Sequence, residues 1–117
     1  RILLTIKKVL SDKMISKTVV FDEIDAGIGG KTADLIGSFI ASISKNHQIL
    51  CITHLPQIAS FADNHFNIVK KTSHKKTELV LEELTENDRK IEIARMLSGS
   101  DSENALKHAE ELLNRNK

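Results

Sequence analysis

The sequence predicts an α/β fold with a parallel βαβ unit, because two short apolar runs flank one amphipathic helix. Residues 18–22 and 48–53 lack polar alternation, as is usual for strands buried on both faces of a parallel sheet. From Gly30 or Lys31 to Ser44, apolar residues recur at helical spacing. We expect the two strands to be parallel, since a helix connects them. The apolar face of that helix consists of Ala33, Ile36, Phe39, Ile40 and Ile43.

The flanking segments predict further helices and a β-hairpin. Pro56 favours the start of a short helix, because proline fits a first helical turn. Residues 66–69 and 77–82 indicate the two strands of a hairpin. Ser100 and Glu103 have the spacing of a capping box at the start of a C-terminal helix. An N-terminal helix is predicted from the stripe Ile2, Leu3, Ile6, Val9 and Leu10. Two C-terminal helices are predicted from Ile91, Ala94 and Leu97, and from Ala105, Leu106, Ala109, Leu112 and Leu113.

The overall charge gives no argument for a nucleic-acid or membrane partner. The formal net charge is +1, and the absence of Trp and Tyr makes a base-stacking platform a poor hypothesis. The predicted hairpin carries four lysines, which keep an exposed sheet edge from aggregating. A contact with a phosphate backbone is the alternative interpretation. These lysines are Lys70, Lys71, Lys75 and Lys76.

Length and cysteine usage set further bounds. A chain of 117 residues is long enough for one domain with a core, or for part of one. Its single cysteine, Cys51, lies in an apolar run, which is typical of a buried thiol in a reducing compartment. The sequence begins at Arg1, without a methionine and within a helical pattern, so we expect a segment of a longer protein. No apolar run in the sequence is long enough to span a membrane, and we expect no signal peptide.

Three carboxylates follow the first predicted strand at once. Asp22, Glu23 and Asp25 lie where open α/β sheets bind their ligands, at the carboxyl end of a core strand. An adjacent Asp and Glu suit two tasks, one holding a hydrated Mg²⁺ and the other activating a water. The alternative is an acidic loop that only stabilises the N-terminus of the next helix.

His54 is the second candidate site residue, because it follows the second predicted strand. Parallel strands end at the same sheet edge, so we expect His54 to lie near the acidic loop, with its ring at least partly exposed. A structural histidine buried in the core is the alternative. Zinc is a weaker hypothesis, since the other histidines are scattered, and no nucleophile-elbow sequence supports a Ser-His-Asp hydrolase.

Two motifs together resemble a known family. The chain is similar to the C-terminal head segment of bacterial SMC-like ATPases of DNA repair, whose heads are built like those of ABC transporters. The acidic strand alone would indicate only an ATPase of this broad class, and the histidine motif makes the resemblance more specific. The first motif is Val19-Val20-Phe21-Asp22-Glu23-Ile24-Asp25-Ala26-Gly27-Ile28-Gly29-Gly30, and the second is Ile52-Thr53-His54-Leu55-Pro56-Gln57-Ile58-Ala59. The likeness extends through residues 93–97 and 105–113.

The resemblance implies a role for each candidate residue. Asp22 would be the Walker B aspartate that holds Mg²⁺, and Glu23 the general base that activates the attacking water. His54 would be the switch histidine that contacts the γ-phosphate of ATP. The D-loop would run from Asp25 to Gly29, and Gly29 stands where many such ATPases have an aspartate. Nucleotide contacts are expected from Asp25, Ala26, Gly27 and Gln57.

The resemblance also implies that the chain needs other parts of the protein to form a complete ATPase site. The sequence has no phosphate-binding loop of the form Gly-x-x-x-x-Gly-Lys-Ser/Thr, so residues 1–117 would form the C-terminal lobe of a P-loop ATPase head. That lobe alone is expected to be inactive. With the N-terminal lobe of the same protein it would bind and hydrolyse ATP in double-strand break repair and recombination. We further expect a head-to-head homodimer, DNA contact through the full-length protein, no membrane contact, and a cytoplasmic, nucleoid-associated location.

Three other functions stay open at the level of sequence. The chain could come from another SMC-type or ABC-type ATPase. A Toprim-like, metal-dependent nucleic-acid enzyme also places acids at strand ends, but on two strands, whereas only one strand here has them. A non-catalytic module that assembles through its surface helices is the third.

Overall fold

A computed structural model describes residues 18–73 and 76–116 of the chain. The predicted N-terminal helix and the turn residues His74 and Lys75 lie outside the described residues. The strands are β1 (Thr18–Phe21), β2 (Gln48–Cys51), β3 (Phe66–Ser73) and β4 (Lys76–Glu83). The helices are α1 (Gly30–Ser44), α2 (Pro56–Ala59), α3 (Glu86–Ser98) and α4 (Glu103–Arg115).

The predicted parallel βαβ unit is confirmed. Strands β1 and β2 pair in parallel, from Thr18 opposite Gln48 to Phe21 opposite Cys51, and α1 connects them. The Ile52 amide donates to the Phe21 carbonyl at 2.9 Å, which extends the pairing just beyond β2. Both strands therefore end at the same edge. The acidic loop leaves that edge, and the His54 segment follows from it.

The prediction that these strands are buried on both faces is wrong for the described structure. Val19 and Phe21 point toward α1 and belong to the core, whereas Val20 and Leu50 are more than half exposed on the opposite face. The reason is that α1 covers one face of a sheet that has two strands among the described residues. A continuous apolar run indicates a strand that is covered on both faces of its sheet. Here no described residue packs on the second face.

Helix α1 and β1 form the first of two cores. The residues predicted for the inward face of α1 are buried or packed against this core, while Leu35 on the outer face is exposed. The buried members of this first core are Phe21, Ile24, Ala33, Ile40, Ile43 and Ile58. Gly37 also lies on the buried face, where the ring of Phe61 packs directly on its backbone.

Replacing Gly37 with alanine is expected to destabilise the chain. A methyl group at Gly37 would lie 2.4 Å from Cδ2 of Phe61 and 3.2 Å from the Gln57 carbonyl oxygen. Alanine improves helix propensity by about 1 kcal/mol, but overpacking of this kind costs about 1–3 kcal/mol. We therefore expect Gly37→Ala to lower the free energy of unfolding, as measured by urea titration. In a Phe61→Ala background the same substitution should become stabilising, and a stabilising effect without that change would contradict the packing argument.

The predicted hairpin is present and longer than expected. Strands β3 and β4 pair antiparallel, with Phe66 opposite Glu83 and Ser73 opposite Lys76. Lys71 forms an ion pair with Glu82 at 2.6 Å, so one of the hairpin lysines has an acidic partner on the neighbouring strand. This pairing agrees with lysines that protect an exposed edge.

Helices α3 and α4 build the second core. As predicted for α4, its inward residues are Ala105, Ala109 and Leu112. The predicted face of α3 is wrong in part, because the buried side chains are Ile93 and Ala94, while Ile91 and Leu97 are exposed. The predicted capping box is also wrong. Ser102, one residue before α4, caps the helix by accepting from the Ala105 amide at 3.4 Å.

The short helix α2 joins the two cores. Its Ile58 belongs to the core under α1, and the next residue, Ala59, belongs to the core of α3 and α4. Arg89 of α3 donates to the Ala59 and Ser60 carbonyls at 3.3 and 3.0 Å, where α2 ends. Because α2 begins two residues after His54, both cores fix the segment that carries this histidine.

Candidate functional site at the edge of the parallel strands

The acidic loop is a tight turn between β1 and α1. The Ala26 amide donates to the Glu23 carbonyl at 3.4 Å, and the Ile28 amide donates to the Asp25 carbonyl at 3.1 Å. Gly27 has φ of +76°, a conformation that glycine adopts without strain. Glu23 has φ of +50°, which costs a residue with a side chain about 1–2 kcal/mol. Such strain is concentrated at functional positions in proteins.

Asp22 and Glu23 both present their side chains to solvent. Within residues 18–73 and 76–116, neither carboxylate has a hydrogen-bond or ion-pair partner. The alternative that the acids stabilise the N-terminus of α1 is wrong, because Gly29 is the N-cap and the first turn contains no acidic residue. The two adjacent carboxylates are therefore free to bind a ligand at this edge.

Asp25 differs from the other two acids because it is buried, with 4% of its surface exposed. One carboxylate oxygen, Oδ2, accepts from the Thr53 hydroxyl at 2.6 Å and from the His54 amide at 2.7 Å. Nδ1 of the His54 ring lies 2.9 Å from the same oxygen. Asp25 thus ties the acidic loop to the segment after β2.

The electrostatics of Asp25 favour its ionised form. Burial is the largest single influence and raises the pKa of this carboxyl, but hydrogen bonds from the Thr53 hydroxyl, the His54 amide and the backbone of Asp25 itself lower it, and the lowering contributions together outweigh burial. The net result is a pKa below the ordinary value, with a smaller contribution from the nearby His54 ring. Asp25 therefore carries a negative charge at neutral pH.

His54 lies at the predicted edge and is exposed. The side chain is 75% accessible, and its ring contacts the Asp25 carboxylate, so the alternative of a histidine sealed in the core is wrong. The expectation of an at least partly exposed ring is confirmed. Sequence reasoning missed the hydrogen-bonding role of Thr53, although a polar residue that ends an apolar strand is a usable signal.

Gln57 has different surroundings from the other predicted site residues. It lines an open groove of about 370 Å³ together with residues of α1, α3 and α4. Asp22, Glu23 and His54 are not among the residues that line this groove. The other lining residues are Asp34, Leu97, His108, Glu111, Leu112 and Arg115. Ala26 and Gly27, by contrast, are exposed on the acidic loop.

The metal and thiol chemistry of the described residues is limited. No group of three or more His, Cys, Asp or Glu side chains among them could hold a metal ion. Mg²⁺ is often held by one or two carboxylates with waters and substrate phosphates, and exposed Asp22 and Glu23 fit that donor set. Burial, together with the Asp25 charge, raises the pKa of Cys51 to about 11, so its thiol stays protonated and packs on the core as predicted.

In the described part of the chain, no helix is long and apolar enough to cross a membrane.

The fold and site define a class of protein. Parallel strands whose carboxyl ends carry exposed acids and a histidine are characteristic of α/β proteins that bind ligands at that edge.

No family model matches the chain. The DNA repair protein RecN of Haemophilus influenzae is 42% identical over 114 residues, which is 97% of this chain and 20% of that protein.

Other relatives carry the same name. RecN of Bacillus subtilis is 38% identical over 114 residues, and RecN of Deinococcus radiodurans is 42% identical over 113 residues. Each match covers 97% of this chain and 20% of the relative. The chain therefore belongs to the RecN family, and it spans about a fifth of the length of the curated relatives it matches. The resemblance of the two motifs to a bacterial DNA repair protein is confirmed.

Proposed function

We propose that this chain supplies the Walker B, D-loop and switch-histidine half of an SMC-like ATPase head that acts in DNA repair. One observation carries the proposal. The exposed Asp22-Glu23 pair follows β1, exposed His54 follows β2, and these parallel strands are in register. The family relationship supports the same function, since the relatives are named DNA repair proteins.

The proposed roles follow from exposure and chemistry. Asp22 holds Mg²⁺, with water and phosphate oxygens completing its coordination. Glu23 accepts a proton from the water that attacks the γ-phosphate. His54 contacts a γ-phosphate oxygen as negative charge redistributes. Phosphoryl transfer depends mainly on positioning and charge neutralisation, which these three polar groups provide.

The remaining parts of the site come from outside this chain in our proposal. The sequence has no phosphate-binding loop, so the N-terminal lobe of the same protein would bind the ATP phosphates. A second head would complete the site as a homodimer, with DNA bound by the full-length protein in the cytoplasm. Val20 and Leu50 are on a face of β1 and β2 that no described residue covers, and this face is compatible with a further layer of structure there.

Replacing His54 in the complete protein tests this proposal. We expect His54→Ala to slow ATP hydrolysis more than it weakens ATP binding, because a γ-phosphate contact is most useful in the transition state. Steady-state turnover and equilibrium ATP binding measure the two effects. His47→Ala is the matched control, since His47 precedes the other end of β2 and should leave turnover near the wild-type value. Equal losses in turnover from the two substitutions would show that His54 has no specific role in the active site.

A further inference from the structure

We propose that Asp25 is the positioning residue for His54, and that it holds the ring with Nδ1 inward and Nε2 directed away from the protein. This inference rests on the proposed function, because the ring position matters for catalysis only if His54 contacts phosphate. It also gives Asp25 a task other than the nucleotide contact that the family resemblance implies.

The contacts of Asp25 define the position of the ring. Oδ2 lies 2.9 Å from Nδ1 of His54 and 2.7 Å from the amide nitrogen of the same residue. A carboxylate oxygen only accepts, so Nδ1 must carry the proton at this contact. In the neutral ring Nε2 is then unprotonated, and the exposure of the side chain leaves this atom accessible to a ligand.

Thr53 holds the carboxylate independently of the ring. Its hydroxyl donates to Oδ2 of Asp25 at 2.6 Å and accepts from the Leu55 amide at 3.0 Å. The carboxylate is therefore fixed by the segment that follows β2 even when the ring rotates away. Asp25 can act as a fixed support for His54, and the reverse dependence is expected to be weak.

The charge of Asp25 matters when phosphate arrives. Donation from Nε2 to a phosphate oxygen requires a second proton on the ring, since the first proton is on Nδ1, 2.9 Å from the Asp25 carboxylate. The imidazolium that forms lies against a buried carboxylate, and the two opposite charges stabilise each other. Holding a histidine by a carboxylate in this way sets its tautomer and its orientation.

A double-mutant cycle in the complete protein tests the dependence. Asp25→Asn keeps the shape and an acceptor oxygen but removes the charge, and we expect kcat for ATP hydrolysis to fall by about 10- to 100-fold with little change in KM. In a His54→Ala background, Asp25→Asn should cause no further loss. If the two losses multiplied instead, Asp25 would act by another route, while the proposed ATPase function would stand.

A spectroscopic readout tests the contact without relying on turnover. Solid-state ¹⁵N NMR of the complete protein, labelled at histidine, distinguishes the two ring tautomers, and the His54 signal is assigned by its loss in His54→Ala. We expect Nδ1–H in the wild-type protein and a shift toward Nε2–H in Asp25→Asn. Thr53→Ser is the control, because it keeps the hydroxyl that binds Asp25 and should preserve the Nδ1–H form. A wild-type protein in the Nε2–H form would overturn the inference even if Asp25→Asn failed to fold.

Discussion

Glu23→Gln in the complete protein is expected to lower the rate of ATP hydrolysis by about 10²–10⁴-fold, the usual contribution of a general base. Glutamine keeps the size of the side chain but cannot accept a proton at neutral pH. ATP binding should remain close to the wild-type level, because the amide still occupies the same exposed position. Turnover assays and equilibrium nucleotide binding at fixed Mg²⁺ measure the two quantities separately.

Two comparisons make this result specific. Asp22→Asn should instead weaken Mg²⁺-dependent nucleotide binding, because Asp22 is the proposed metal ligand. Folding should be unaffected in Glu23→Gln, since glutamine occupies the strained φ of +50° at the same cost as glutamate. Identical losses of binding and turnover in the two variants would refute the division of roles between Asp22 and Glu23.

Ile93→Ala is expected to lower the free energy of unfolding by about 2–5 kcal/mol, the usual cost of removing a large aliphatic side chain from a core. Ile93 is fully buried between α3 and α4, at 0% exposure, and the cavity left by alanine has rigid helical walls. Chemical denaturation of the chain, followed by circular dichroism, measures the change.

Ile91→Ala provides the matched control on the same helix. Ile91 is 39% exposed and is not part of the core between α3 and α4, so its loss should cost less than about 1 kcal/mol. Similar costs at the two positions would mean that the helix packs through the face that the sequence pattern had indicated.

The sequence predicted the βαβ unit well because local pattern and connectivity determine it. The inward residues of α1 recur at helical spacing, and the helical connection between the strands favours parallel pairing. The sequence pattern did not predict the buried face of α3 correctly, because the apolar residues of this helix fit more than one face. The contact with α4 selects Ile93 and Ala94, and no local signal contains that choice.

The candidate site was predicted in part for the same reason. Residue types and strand ends were sufficient to bring Asp22, Glu23 and His54 to one edge. The three acids nevertheless look equivalent in sequence, and only the structure separates exposed Asp22 and Glu23 from buried Asp25. The burial of Asp25 depends on the path of the turn after β1, and the spacing of residues in the sequence does not predict that path.

By itself, the sequence determined the family, the parallel βαβ unit and the edge at which polar groups meet, because short motifs and strand connectivity encode all three. The tertiary structure decided which acid faces inward and which atoms it binds. The turn after β1 brings Asp25 against Thr53 and His54, and two hydrogen bonds to one oxygen, with the His54 ring 2.9 Å from it, make a buried carboxylate favourable. Asp25 is separated from Thr53 by 28 positions in the sequence and from His54 by 29. Contacts at such separations depend on the whole fold, and local patterns do not specify them.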